Sequence, residues 1–215
     1  MRTKQLSRDD FARPRTPFRV KNPSFPGGGY DNTDFLYDSF SVAQAAAFPQ
    51  MTPMFQAPIS AAKTRAQTNM RTNGTLANGE VFKLRRMRVI ISSNTYPADA
   101  LNILQLCRAS LYVGGREFIM GPVLAFPGGG GGILTAAAQV GTAAAGSNIQ
   151  TGYCNGVPDI RNAFAFEDDI ELQNNEQIQV DIVAETAFNM TAAAAGGVGT
   201  TIYVFLDGRR LRKVS

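Results

Sequence analysis

The sequence predicts an all-β fold, an antiparallel sandwich built from six to eight short strands. Three observations carry that expectation: apolar stretches that alternate with period two, Gly- and Pro-marked turns between them, and little helical periodicity. The 215 residues suit one domain with a tail or two small domains, and 44 % hydrophobic residues are enough for a core. Charged residues make up only 18 %, below the usual quarter, which implies that part of the surface is covered by something else.

Residues 1–33 read as an extended basic N-terminal arm. Pro14, Pro17, Pro23 and Pro26 push their predecessors toward extended backbone, and three glycines follow. Residues 34–72 read as a partly helical connecting segment. There, 41–47 suits a short helix stopped by Pro49, and 61–67 suits a second. The sandwich body is expected over 73–208, opening with the turn dipeptides Asn73-Gly74 and Asn78-Gly79. Residues 80–93 read as a long strand in which Phe82 and Leu84 share one phase and Met87, Val89 and Ile91 the other. A β-bulge at Arg85-Arg86 accounts for the switch.

Pro97 suits the first turn of a short helix running to about Cys107. A hairpin follows, with strands at 110–113 and 117–120 around Gly114-Gly115. Residues 128–152 open with five glycines and continue in Ala, Thr, Ser and Gly, and read as a long surface loop. Short strands are expected at 163–166 and 170–172, with a charged turn at Glu167, Asp168 and Asp169 between them. Residues 176–183 alternate, with Ile178, Val180 and Ile182 inward and Gln177, Gln179 and Asp181 outward. The stretch 200–206 is apolar on both faces and so reads as a central strand. Asp207-Gly208 is expected to turn the chain into a basic C-terminal tail, 209–215. Long Gly/Ala-rich loops beside tight turns favour a jelly-roll-like arrangement.

The chemistry excluded is broad. The chain has no histidine, which removes the commonest acid/base group near neutral pH, the commonest metal ligand, and Ser-His-Asp or Cys-His catalysis. Cys107 and Cys154 belong to no CxxC motif and read as two packed thiols. The acidic run at 167–171 fits no EF-hand spacing, and the five glycines lack the Gly-Lys-Ser/Thr ending of a P-loop. A carboxylate pair drawn from Asp159, Glu167 and Asp169 has no favourable spacing. No enzyme activity, cofactor, metal or small-molecule substrate is expected. The first residues lack an apolar signal-peptide core, and no run of 18 apolar residues suggests a membrane span.

Charge is concentrated at one end. Residues 1–21 hold Arg2, Lys4, Arg8, Arg13, Arg15, Arg19 and Lys21 against Asp9 and Asp10, a net of +5. The whole chain carries +4, so residues 22–215 sum to −1. The seven basic residues are candidate contacts to protein partners, with the genome or lipid head groups as the other anionic partners considered. Lys83, Arg85, Arg86 and Arg88 form a second candidate, a basic contact strand; the plainer alternative is a solvated strand with protective charges.

The arm, the segments LYVGGREFIMGPVLAFP (111–127) and IELQNNEQIQVDIV (170–183), and the terminal TTIYVFLDG (200–208) together resemble the single jelly-roll capsid proteins of icosahedral viruses and phages. The resemblance is architectural and covers about 73–208. It implies a virion structural protein made in the host cytoplasm, a shell subunit assembling with copies of itself and other capsid proteins through its arm and body. The alternative is a receptor- or glycan-binding sandwich of a spike or tail.

Overall fold

The computed structural model describes residues 29–60, 62–92, 95–128, 133–139, 148–154, 163–192 and 199–213. Ten strands and one α-helix follow in chain order: β1 (Gly29–Val42), β2 (Met51–Met54), β3 (Glu80–Ile91), α1 (Pro97–Leu106), β4 (Cys107–Val113), β5 (Arg116–Pro122), β6 (Ile133–Gln139), β7 (Asn148–Cys154), β8 (Phe164–Leu172), β9 (Ile178–Ala184) and β10 (Thr200–Lys213). Two four-stranded antiparallel sheets form a sandwich, one ordered β1-β10-β3-β8 and the other β2-β9-β4-β5; β6 and β7 make a separate pair.

The eight sandwich strands pair in a nested way. The first pairs with the last (β1 with β10), the second with the seventh (β2 with β9), the third with the sixth (β3 with β8), and the fourth with the fifth (β4 with β5). The β10–β3 and β4–β9 pairings complete the two sheets.

The core lies between the sheets. It takes Phe82, Leu84, Met87, Val89 and Ile91 of β3, Ile202, Val204 and Leu206 of β10, and Leu36 of β1 from one side. Ala109, Leu111 and Val113 of β4 and Ile178, Val180 and Ile182 of β9 face them. Inward residues two apart are what period-two patterning demands, and the one step of three, from Leu84 to Met87 on β3, marks a bulge. The central position expected for 200–206 is found, with β1 on one side of β10 and β3 on the other. On the non-core face Phe205 stacks with Tyr203 of the same strand and with Tyr37 of β1, and lies tilted against Phe35.

The bulge expected at Arg85-Arg86 is present, and it registers on both neighbours of β3. Leu84 faces Gly208 and Arg86 faces Asp207, so Arg85 is the extra residue against β10; towards β8 the ladder jumps from Ile170, opposite Leu84, to Ala165, opposite Arg86, and the four residues 166–169 stand against Arg85. The inward phase changes there from Phe82 and Leu84 to Met87, Val89 and Ile91. The short helix and the glycine hairpin also fall where expected. Gly114 and Gly115 have φ of 58° and 78°, the pair of left-handed residues that a two-residue turn needs.

Several local expectations are corrected. Residues 34–42 belong to β1, and no helix forms over 41–47 or 61–67 among the described residues. The alanine run instead pairs with the loop before β10: Ala45 N donates to Thr191 O, Phe48 N to Phe188 O and Met190 N to Ala46 O. Those tertiary bonds outweigh a weak helix preference. Around 64–68 the chain makes one turn, closed by Thr68 N donating to Thr64 O.

Asp207-Gly208 is not a turn, and the basic tail is not separate as far as Lys213. Residues 209–213 continue β10 and pair with Gly29–Thr33, the last part of the expected arm. Gly208 is required there because a Cβ would run into the carbonyl of Lys83. Residues 1–28, with all seven candidate arm cations, lie outside the described residues.

Phe164–Leu172 is a single strand that carries the acidic run within it, rather than two strands around a turn. The long loop expected over 128–152 contains β6 and β7, which satisfy backbone groups on each other.

Candidate functional site

Three of the four sheet edges are protected, each by a local device. At β1, Asn69 acts as a substitute strand: Tyr37 N donates to its Oδ1 at 2.9 Å and its Nδ2 donates to Phe35 O at 2.7 Å. At the opposite edge of the same sheet, β8 exposes Glu167, Asp168 and Asp169. The edge strand β2 is four residues long and contains Pro53, which has no N–H to offer. These features block unwanted strand addition. The fourth edge, β5, is seven residues long and has no strand beyond it among the described residues. Phe118 and Met120 on β5 are exposed, as are Leu124 in the following 3-10 turn and Leu101 on α1.

The outer face of the β1-β10-β3-β8 sheet carries the candidate basic strand. A groove of about 430 Å³ runs between Thr33–Phe35, Arg85, Arg86 and Arg88, and Asp207–Arg209. Two of its cations, Arg85 and Arg88, are already neutralised. Arg88 donates from Nε and Nη2 to the two carboxylate oxygens of Asp207, both at 2.7 Å, and its guanidinium lies 4.8 Å from the Phe205 ring centre. Arg85 makes a forked contact with Asp169, 3.0 Å on each bond. Lys83 Nζ is 3.5 Å from Glu171 Oε2. Arg86 has no ion-pair partner among the described residues. The four residues are thus brought onto one strand beside a groove, but three serve as internal ion pairs with the acidic run and with Asp207.

The other sheet has a smaller pocket on its outer face, about 130 Å³, lined by Tyr112, Gly115, Gln177, Gln179 and Asp181. Strand alternation puts Tyr112 of β4 and Gln179 and Asp181 of β9 on this face, because Tyr112 faces Gln179 and Ser110 faces Asp181 across the ladder. The turn glycine Gly115 and the start of β9 close one end. Asp181 is only 7 % exposed although it points away from the core. Its Oδ1 accepts from Gln179 Nε2 at 2.7 Å. Tyr112 donates its hydroxyl to Glu117 Oε2 at 2.8 Å, and this bond to a carboxylate raises the phenol above its ordinary pKa, with Asp181 adding a smaller repulsion. The nearby cation Arg108 is engaged by Glu185 and by Ser110 Oγ.

Sequence reading placed Gln177, Gln179 and Asp181 outward correctly but did not single them out. The signal that distinguishes Asp181 is its burial on an outward face, and that depends on β4, far away in the sequence. Among the described residues no cluster of three Cys, Asp or Glu side chains is arranged to hold a metal ion, and no helix is long and apolar enough to cross a membrane. No family model, no curated protein and no solved structure matches this chain.

Proposed function

We propose that this chain is a structural protein of a virus particle: a capsid shell subunit with a jelly-roll sandwich that assembles with further copies of itself and with other capsid proteins. The observation that carries the reading is the nested pairing of the eight sandwich strands, first with last through fourth with fifth. A long antiparallel hairpin wound into two four-stranded sheets would produce that order, which supports a jelly-roll path. The β6–β7 pair is then an insertion between its fifth and sixth strands.

Two further features support assembly. The segment before β1 concentrates a net +5 within residues 1–21, while the cations of β3 are largely consumed inside the fold. The uncovered edge at β5, with Phe118, Met120 and Leu124 exposed, is an apolar surface of the kind that subunit contacts cover. The reading is non-catalytic, in keeping with a chain that has no histidine.

The test is negative-stain electron microscopy with light scattering on the purified protein across salt and concentration. Closed shells, rings or defined oligomers are expected. A protein that stays strictly monomeric under every assembly condition overturns the proposal.

A further inference from the structure

We infer that the Tyr112–Asp181 pocket receives a guanidinium or ammonium side chain from the basic N-terminal segment, residues 1–28, of a neighbouring copy. The inference rests on the shell-subunit reading above and names one of its contacts.

The pocket's chemistry selects a cation. Asp181 is more than nine-tenths buried, and no donor among the described residues reaches its Oδ2. Its Oδ2 is not among the buried oxygens left without a partner, so it opens onto the pocket, where it can take a charged donor. Arg108 does not supply it, being held by Glu185 and Ser110. The Tyr112 ring forms a wall against which a cation can lie. Its hydroxyl draws Glu117 to the rim and adds a second carboxylate. The volume of about 130 Å³ suits a side-chain head group, being well below the roughly 300–1,000 Å³ of ordinary small-molecule sites.

The sequence and the topology point to the occupant. The chain's surplus of positive charge lies in residues 1–21, so the complementary partner for an acidic pocket is on the same polypeptide. Strand register also puts the pocket and the start of β1 at one end of the sandwich. Gly29 faces Lys213, whose neighbour Arg212 faces Glu80 at the start of β3; Phe82 faces Leu172 at the end of β8. The short turn after β8 leads to Ile178, which faces Val113 beside the pocket's Gly115. Twenty-eight residues reach up to about 90 Å, roughly twice the length of β1 or β10, which is enough to leave one sandwich and meet the next.

The test uses a fluorescent synthetic peptide of residues 1–28 titrated with the full-length chain and read by anisotropy at low and high salt. Binding is expected to be salt-sensitive, at least about tenfold weaker to Asp181→Asn, and absent for a peptide whose arginines and lysines are all replaced by glutamine. Equal binding to Asp181→Asn with an unchanged melting temperature overturns the inference, as does displacement by neutral monosaccharides. Should Asp181→Asn fail to fold, carbodiimide cross-linking of mixed isotopically light and heavy wild-type chains decides. Links from Lys4 or Lys21 to Asp181 or Glu117 in mixed-isotope pairs support the inference, and links within single chains alone overturn it. Microscopy of the same samples separates the two proposals. Shells from wild type with Asp181-independent peptide binding remove the pocket contact only. Asp181-dependent binding by a wild type that forms no shells supports a cation pocket and removes the shell reading.

Discussion

The ammonium of Lys63 lies 2.5 Å from Oδ1 of Asp38, whose side chain is wholly buried. The other carboxylate oxygen accepts from the backbone N–H of Phe55 at 2.6 Å. Phe55 has φ of 68°, a left-handed conformation unfavourable for an aromatic residue, and its ring is fully buried. Asp38 therefore ties β1 to the loop that carries Phe55 into the core, and Lys63 neutralises it. Lys63→Ala leaves a buried carboxylate without its cation and is expected to cost about 3–5 kcal/mol. Urea denaturation of the variant checks this; a change under about 1 kcal/mol would show that water reaches the carboxylate.

Gly208 and Gly115 separate two reasons for glycine. A Cβ at Gly208 meets the Lys83 backbone at the β3 bulge, where neither strand can retreat without losing register. At Gly115 there is open space, and only the φ of 78° resists a side chain. Gly208→Ala is expected to cost about 2–3 kcal/mol as overpacking, and Gly115→Ala about 1 kcal/mol as backbone strain. Thermal and chemical melts of the two variants read the order directly, and equal losses would contradict it.

The same bulge shows how far local sequence carries. Its position on β3 was legible because the apolar phase of Phe82 and Leu84 breaks before Met87, a signal contained within one strand. Its counterpart at Gly208 was not, because Asp-Gly is a turn dipeptide wherever local preference decides. What decides here is the pairing of 209–213 with Gly29–Thr33, from the opposite end of the chain. The alanines at 45–47 leave the helix that local preference favours for a similar reason, since backbone bonds tie this stretch to 188–191. Asp181 was placed on the correct face by alternation alone. Its burial comes from the alignment of β9 with Ser110 and Tyr112 of β4, which no local pattern contains.

Cys107 begins β4 directly from the end of α1 and is 2 % exposed. Burial, with a smaller contribution from the charge of Glu185, pushes its thiol from 9.0 up to about 12. The folded value is above the unfolded one, so the folded state holds the proton more tightly. The resulting stabilisation is complete below pH 9.0 and is lost as pH rises through about 12. In a Cys154→Ser background, Cys107 is expected to resist thiol reagents at pH 8 until the protein unfolds. Stability measured between pH 9 and 11 should fall with a slope that Cys107→Ala removes. Rapid labelling under native conditions would refute this account.

Arg86 and Arg88 sit two residues apart on one strand and are expected to behave differently. Arg88 is mostly buried, forked onto Asp207 and stacked on Phe205, so Arg88→Gln removes two charge-assisted bonds and leaves Asp207 without its cation. A loss of about 2–3 kcal/mol is expected. Arg86 has no ion-pair partner among the described residues, and Arg86→Gln should change stability by less than about 0.5 kcal/mol. The contrast bears on the basic strand as a contact surface, because Arg86 is the member with charge to offer a partner. If the strand contacts an anionic partner, Arg86→Gln should weaken assembly in a salt-dependent way while leaving the melting temperature in place. If assembly is unchanged in Arg86→Gln, β3 is not a contact strand, and the positive charge proposed for contacts is that of residues 1–21.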